Sequence, residues 1–457
     1  MDLIQIGNNV DWTWGRGALL NQQFPWHYPQ PHTFRDVTAG DMWNRKRRTG
    51  LYLHTPFCIE KCDYCPYAVR AHQPRETILR YVQALKKEIQ LCAALPAMKD
   101  AELSSVYFGG GSPSILEDEW LLELTDLIRS NFQIEPGAEF TLEMNPVDVE
   151  EDKLATLEEM GVNRISVGVQ SFVPETLRSM RRAHSRDEAV KAFRTIQQFR
   201  FKNINLDLIY AYPHQTVRDL ELSLTQAVAL KPGRITCASL SIFPKTELYY
   251  KVKKGLARPV QDAEEIEMFN FLVDFMKSTG YELSVVLAFN KPGVAFRQEE
   301  ELLLGTAEMV GLGLSAFSVA NNCFYSNTSS FADYYKLIEA NRLPITRGRY
   351  LDPPTQMAVS IIHGLRFMRI DGERFASRFG LGVEQVYGDK LTKLVDGGLL
   401  EQNGPQYHLT TEGMICLGPI MREFYQEAPL FDKTFQGEMV PQAPHPPSMP
   451  HTVAAAS

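Results

Sequence analysis

Short apolar, β-branched or aromatic runs recur through the middle of the chain, at Gly50–His54, Leu103–Phe108, Glu139–Glu143, Arg164–Val169, Asn203–Ile209 and Ile235–Ser241. Longer amphipathic stretches separate them. In Glu76–Leu95 the residues Ile78, Leu79, Val82, Leu85, Ile89 and Cys92 return at helical spacing, and Glu119–Phe132, Glu151–Met160, Glu188–Phe199 and Val217–Leu230 read the same way. Six β-α units in series predict an α/β fold with a parallel sheet. Six units are two short of a closed eight-unit barrel, so the expected form is an open, partial (β/α)6 TIM-like barrel. Its ligands would gather at the C-terminal ends of the strands.

The pattern also divides the chain. Residues 1–48, rich in Trp, Pro, His and Asn without periodicity, are expected to wrap the core, which runs over 49–243. In 244–350 the alternation weakens, with a helix at Glu264–Ser278 and a strand at Tyr281–Val286, and this region is read as a barrel extension with substrate or second-cofactor contacts. Over 351–430, Leu391–Leu399, the turn Gln402–Gln406, Tyr407–Thr411 and a final helix Thr411–Glu427 suggest a winged-helix-like domain. Its candidate recognition helix mixes charges (Asp389, Lys390, Lys393, Asp396), which favours a packing or lid role over DNA binding. The Pro-, His-, Ser- and Ala-rich tail, 431–457, has no hydrophobic face and is expected to be disordered.

Composition narrows the function. A formal net charge of -8 offers no general footprint for nucleic acid, although Arg178, Arg181 and Arg182 form a local basic patch. No apolar run approaches the roughly 20 residues that span a bilayer, and Met1–Asn9 does not read as a secretory signal. A cytoplasmic protein without membrane or nucleic-acid partners is expected. No coiled-coil or long apolar stripe stands out, so a monomer is expected. Seven cysteines without even spacing are not a disulfide framework. Cys92, Cys237, Cys323 and Cys416 read as small buried hydrophobes.

Cys58, Cys62 and Cys65 differ: they lie in C-x3-C-x2-C spacing on a loop with Glu60, Lys61 and Asp63. Three thiolates on a tight loop can hold three corners of an iron–sulfur cubane and leave the fourth iron open to a chelating ligand. Zinc is the competing metal. It asks for four closed ligands, and no second cysteine pair exists, though His54 or His72 could complete a site.

This spacing, just after the first strand of a six-unit barrel, resembles the radical S-adenosylmethionine superfamily. In order follow Tyr52-Leu-His-Thr-Pro-Phe-Cys58, Tyr107-Phe-Gly-Gly-Gly-Ser-Pro113, Thr141-Leu-Glu-Met-Asn-Pro146, Ile165-Ser-Val-Gly-Val-Gln-Ser-Phe172 and Asn205-Leu-Asp-Leu-Ile-Tyr-Ala-Tyr-Pro213. Together they resemble the oxygen-independent coproporphyrinogen III oxidase family with its haem-chaperone relatives, from about Thr49 to about Leu430. The resemblance implies a [4Fe–4S] cluster on Cys58, Cys62 and Cys65, and one or two molecules of S-adenosylmethionine. It implies cofactor contacts at Gly109, Gly110 and Gly111, whose bare backbone allows close approach, and at Glu143, Gln170, Arg182 and Asp207. It adds Tyr52 near the cofactor and Tyr64, whose backbone would meet adenine. A flavodoxin- or ferredoxin-type electron donor and a small-molecule substrate are further implications.

Three family activities differ in chemistry. The oxidase abstracts hydrogen from a propionate, and decarboxylation leaves a vinyl group. Methylase and cyclopropanase relatives use two S-adenosylmethionine molecules, and the chaperones bind haem. After Cys65 the oxidase pattern continues Gly-Cys, whereas Pro66-Tyr67 stand here. Where chaperones carry a His-Asn-x-x-Tyr-Trp type signature, this chain reads Arg297-Gln-Glu-Glu-Glu-Leu302. Two further segments persist: the glycine-rich Gly311–Ser318, and Ser241–Glu247, where the family holds its second cofactor. The expectation drawn is a two-cofactor methylase or cyclopropanase acting on an unsaturated small molecule, with the oxidase and the non-catalytic chaperone as alternatives. No catalytic base can be named.

Overall fold

The computed structural model of the protein describes residues 10–12, 28–37, 48–99 and 101–427. The expected disordered tail lies outside the described residues, as does most of the N-terminal wrapping segment. The described pieces of that segment do reach across the molecule: Tyr28 stacks on Tyr425 at 4.5 Å, and Arg35–Asp36 pairs with the strand Ile345–Tyr350.

The six predicted strands are present: β1 (Thr49–Thr55), β2 (Glu102–Gly110), β3 (Gln133–Met144), β4 (Arg164–Gln170), β5 (Asn203–Tyr210) and β6 (Arg234–Ser239). They run parallel in sequence order, and the register carries Tyr52 beside Tyr107, Tyr107 beside Thr141, and Thr141 beside Arg164. Each strand alternates. Leu51, Leu53, Val106, Phe108, Leu142, Ile165, Val167, Leu206 and Leu208 pack in the apolar core. The intervening residues, among them Tyr52, Tyr107, Glu143, Ser166 and Asp207, turn into the lumen. The first barrel helix, Arg75–Ala93, buries Ile78, Val82, Leu85, Ile89 and Cys92 of the predicted stripe, and Leu79 at its edge is only half-buried. All four scattered cysteines are buried and outside any disulfide among the described residues, as their sequence context suggested.

The sheet does not stop at six. Glu308–Leu312 adds a seventh parallel strand beside β1, and antiparallel strands continue from it, with Ala288–Asn290 and Glu282–Val285 on the far side of β6. The seventh strand is short, contains Gly311 and is not followed by a barrel helix, so it carried no β-α signature. Gly311 is needed there, because a Cβ would strike the Phe317 backbone and come within 3.1 Å of the Ala316 side chain.

The C-terminal region contains helices Pro353–Arg366, Gly372–Phe379 and Val383–Asp396 with a three-stranded antiparallel sheet, as the winged-helix-like pattern predicted. The expected single final helix is instead two, Thr411–Ile415 and Leu417–Glu423, parted at Cys416. Pro419 has no amide hydrogen to give to Ile415, so the helix breaks. No helix among the described residues is long and apolar enough to cross a membrane.

Candidate active site

The loop bearing the cysteines leaves the C-terminal end of β1 and is fixed by both of its neighbours. Gly111, at the end of β2, donates its amide to Thr55 O at 2.7 Å, and Ser112 donates to Phe57 O at 2.8 Å. A Cβ on Gly111 would come within 2.9 Å of Cys58 Sγ, and one on Gly110, where φ is +113°, within 2.7 Å of the His54 ring. The glycine triplet thus first serves the protein itself, letting β2 lie against the cysteine loop.

Asp63, between Cys62 and Cys65, ties the loop down on its other side. Its amide donates to Met180 O at 3.3 Å, and its carbonyl accepts from Leu248 at 2.9 Å. Its carboxylate receives the Tyr212 hydroxyl at 2.9 Å and Lys251 Nζ at 2.8 Å. Sequence reasoning passed over Asp63 as a loop charge. A carboxylate embedded between metal-binding cysteines was the available signal, but its partners lie 149 and 188 residues away.

The thiols feel one another. Burial pushes Cys58 up to about 12, with Cys65 and Cys62 adding to the rise, and burial likewise raises Cys65. Thiols held in this state want a positive partner, which iron supplies. Among the described residues, no three His, Cys, Asp or Glu side chains converge on a single-ion site. A cubane does not require that convergence, since each thiolate takes its own corner. His54 is committed elsewhere, with Nδ1 3.0 Å from the Tyr52 hydroxyl, and its burial lowers it to about 4. The zinc alternative therefore has no assembled ligand set among the described residues.

Most of the expected cofactor residues meet around this loop. Glu143, near the end of β3, accepts from the Tyr107 hydroxyl at 2.6 Å and from Gly110 N at 3.0 Å. Burial raises it to about 7, and nearby Asp207 adds to the rise against the two hydrogen bonds. Gln170 closes β4 with φ +71°, and its side chain lies with Arg182 over Gly168, where a Cβ would meet them at 3.1 and 3.5 Å. Arg182 reaches Cys62 Sγ at 3.1 Å and Asn145 at 2.8 Å, and also the Gly168 carbonyl. Asp207 accepts from Ser166 at 3.0 Å and Asn205 at 2.7 Å. Tyr52 packs against Tyr107 at 5.7 Å. Tyr64 inserts beside Met180, Tyr212, Leu240 and Leu248, so its backbone is what remains to meet a ligand. Asn145 and Ser112 stood within the quoted motifs without a role; they form a second tier that holds Arg182, with Asn145 Nδ2 2.9 Å from Ser112 Oγ.

These residues fit a cluster with a chelated nucleotide. The three thiols share one loop, and the buried Arg182 Nε and His54 Nε2 have no hydrogen-bond partner among the described residues. Glu143, Gln170 and Asp207 line the lumen beneath.

At the opposite end of the barrel, the helix Arg297–Leu304 closes the floor. Glu139 accepts from the amides of Arg297 and Gln298 at 3.1 and 3.3 Å, capping the helix from β3. Arg48 bridges Glu135 and Glu301, Arg297 does the same, and Glu299 sits between Arg234 and Arg366. The segment that departs from the chaperone signature is thus a salt-bridged plug.

The comparisons with known proteins agree with this geometry. The sequence model of the Radical SAM superfamily matches residues 52–227, and that of the HemN C-terminal domain matches residues 351–416. The heme chaperone HemW of Bacillus subtilis is 28% identical over 381 residues, covering 82% of this chain and 99% of the relative. The oxygen-independent coproporphyrinogen III oxidase of Escherichia coli is 25% identical over 387 residues, covering 81% and 84%. The solved structure of the Escherichia coli oxidase HemN superposes with a TM-score of 0.78 at 21% identity, over 91% of this chain and 99% of that one, and so shares the fold.

Residues 52–227 form a radical S-adenosylmethionine domain, with a [4Fe–4S] cluster and S-adenosylmethionine as its cofactors. Within that class the chain resembles the oxygen-independent coproporphyrinogen III oxidases and their haem-chaperone relatives. The relatives and the solved structure named above are oxidases and a chaperone, so the expected methylase or cyclopropanase chemistry gains no support from them.

Proposed function

We propose that the protein is a radical S-adenosylmethionine oxidoreductase acting on a porphyrinogen-like, carboxylate-bearing substrate, in the manner of its oxidase relatives. The observation that carries this reading is the gathering of the expected cofactor residues near the cysteine loop, from Gly109 and Glu143 through Gln170, Arg182 and Asp207. When bound, the cluster supplies an electron to S-adenosylmethionine and so gives access to a 5'-deoxyadenosyl radical. Cys58, Cys62 and Cys65 would hold three irons. Glu143 is placed to receive the cofactor's ammonium, and Arg182 Nε its carboxylate. Asp207 and Gln170 line the lumen for the remaining polar groups, and the salt-bridged floor keeps bulk water from entering below. Tyr67, standing where the oxidase pattern has its extra cysteine, is 59% exposed.

A second reading, the haem chaperone, is favoured by the relative that this chain matches over 99% of its length. Against it stands the Arg297–Leu302 segment, where Arg297, Glu299 and Glu301 are bound in ion pairs and no histidine or aromatic residue offers a haem contact. Anaerobic incubation of reconstituted protein with S-adenosylmethionine, dithionite and coproporphyrinogen III separates the cases. Carbon dioxide together with 5'-deoxyadenosine supports the oxidase. Stoichiometric haem binding with neither product supports the chaperone, and S-adenosylhomocysteine would revive methyl transfer.

A further inference from the structure

Helix N-caps favour Ser, Thr, Asp or Asn, whose side chains satisfy the free amides of the first turn. The floor helix Arg297–Leu304 begins instead at Phe296, which makes no capping bond. Glu139 of β3 has taken over that task, accepting from the amides of Arg297 and Gln298. The aromatic ring at the cap position is thus left for another use, and its contacts are with residues of the lumen. It lies 6.0 Å from the Tyr107 ring, tilted by 33°. The Arg164 guanidinium stands 3.8 Å from its centroid.

Arg164 has little else to hold. It is buried, with 2% of its surface exposed, and its Nε and Nη1 have no hydrogen-bond partner among the described residues. Glu139, whose carboxyl feels the Arg164 charge, is already engaged by the helix amides. Arg234 is tied to Glu299 and stands further from the ring, at 5.2 Å. A guanidinium stripped of water is drawn to the face of an aromatic ring, and the attraction grows when both are desolvated. Phe296 is therefore fixed from below by its helix and across its face by Arg164.

The remaining contacts of Tyr107 lead up to the mouth of the barrel, where the cysteine loop lies. Its ring packs on Tyr52 at 5.7 Å, and its hydroxyl donates to Glu143 at 2.6 Å. With the Gly110 amide on the second oxygen at 3.0 Å, this bond sets where the carboxylate points. We propose that Phe296, clamped by Arg164, is a positioning residue for the cofactor: it holds Tyr107 where the hydroxyl aims Glu143 at the cofactor's ammonium. The inference rests on the reading in which Glu143 receives that ammonium. A carboxylate that loses its donor keeps its charge but not the direction of its hydrogen bond, and direction is what positioning contributes. Phe296 acts only through Tyr107 and Glu143.

The test is a double-mutant cycle on S-adenosylmethionine affinity, measured by calorimetry with anaerobic, cluster-reconstituted protein at pH 8. Phe296→Leu removes the ring face and is expected to weaken binding about tenfold. In a Glu143→Gln background the same change is expected to do nothing, because the group it positions is gone. Tyr107→Phe, which keeps the ring and drops the hydroxyl, should repeat both results. A residue that merely stabilises the floor would lower the melting temperature and leave the affinity of the folded protein alone; that outcome overturns the proposal. Additive losses in the Phe296→Leu/Glu143→Gln protein overturn it as well, since Phe296 would then act by another route. Should the leucine protein fail to take up its cluster, Phe296→Met replaces it under the same expectations. If Glu143→Gln alone binds as tightly as the wild type, the ammonium assignment falls, and the proposal falls with it.

Discussion

The two ends of one barrel treat the same residue type in opposite ways. On the floor, burial alone would raise Glu299, but Arg234 and Arg366 outweigh it and hold the carboxyl below its ordinary value. At the mouth, burial raises Glu143 to about 7, with Asp207 adding to the effect, Arg164 opposing it from a distance, and no ion pair on Glu143 among the described residues. The floor pairs Glu135, Glu299 and Glu301 with cations. The mouth gives Glu143 hydrogen bonds from Tyr107 and Gly110 instead, a setting that an ammonium group would complete. This division, stability below and chemistry above, is what barrel architecture favours.

The largest effect expected at the mouth is loss of the cluster. Cys62→Ala removes one iron corner and the thiolate that Arg182 contacts. Reconstituted protein should lose its cluster absorbance and all 5'-deoxyadenosine formation, while its far-UV circular dichroism stays unchanged. A variant that kept a full cubane and still cleaved the cofactor would remove the basis of the assignment.

The floor should respond in the opposite sense. Glu299→Gln leaves Arg234 and Arg366 facing each other without their shared counterion. Removing one partner from a buried ion pair costs about 3–5 kcal/mol. Thermal or urea unfolding should show that loss, while S-adenosylmethionine affinity, measured by calorimetry where the variant is still folded, should not move. If affinity fell and stability held, the two ends would not be separable.

Glu143→Gln sharpens the contrast, because its effect depends on pH. A carboxyl whose folded pKa is raised from 4.5 to about 7 binds its proton more tightly when folded. Stability of the cofactor-free protein is therefore highest at the acid end of this window and declines as pH rises from about 4.5 through 7, by at most about 3 kcal/mol from this group. The glutamine variant should lack that slope. S-adenosylmethionine binding should run the other way: its ammonium prefers the ionised form, so wild-type affinity should climb between pH 6 and 8. The variant should bind about 10- to 100-fold more weakly at pH 8, the loss of a charged hydrogen bond.

The mouth was far more legible in the sequence than the floor. Cysteine spacing, strand-end glycines and a lone acid at the end of an apolar strand are local signals, and Cys58, Gly110 and Glu143 fall together as expected. The floor is built from contacts between distant residues. Arg48 meets Glu135 and Glu301, 87 and 253 positions away, and Arg297-Gln-Glu-Glu-Glu-Leu302 looks like any exposed charged helix until its partners are known. Glu88 shows the same limit within a helix that was read correctly. It is a buried acid on the apolar stripe, held by Tyr334 at 2.6 Å, Asn327 at 2.7 Å and the Gly313 amide at 2.9 Å. These partners explain the glycine-rich turn at Gly311–Ser318 as a structural one, with Leu314 also donating to the Tyr81 hydroxyl at 3.0 Å.

The smallest effect concerns the clamp on the cysteine loop, which belongs to the mouth but is built like the floor. Lys251→Met removes one of two donors from the Asp63 carboxylate and leaves the Tyr212 hydroxyl. Lys251 is about a third exposed, with its side chain at 32%, so solvent screens the pair and the expected loss is about 1 kcal/mol. That loss falls on the loop between Cys62 and Cys65. Its readout is accordingly the rate at which a chelator strips iron from anaerobic holoprotein, expected to rise about fivefold, against a cofactor-free melting temperature that barely changes. Asp63→Asn, which can still accept from Tyr212, should behave alike, and the double variant should be no worse than either single one. Additive effects would mean that Lys251 and Asp63 act separately, and that the cysteine loop is held by its backbone bonds to Met180 and Leu248 alone.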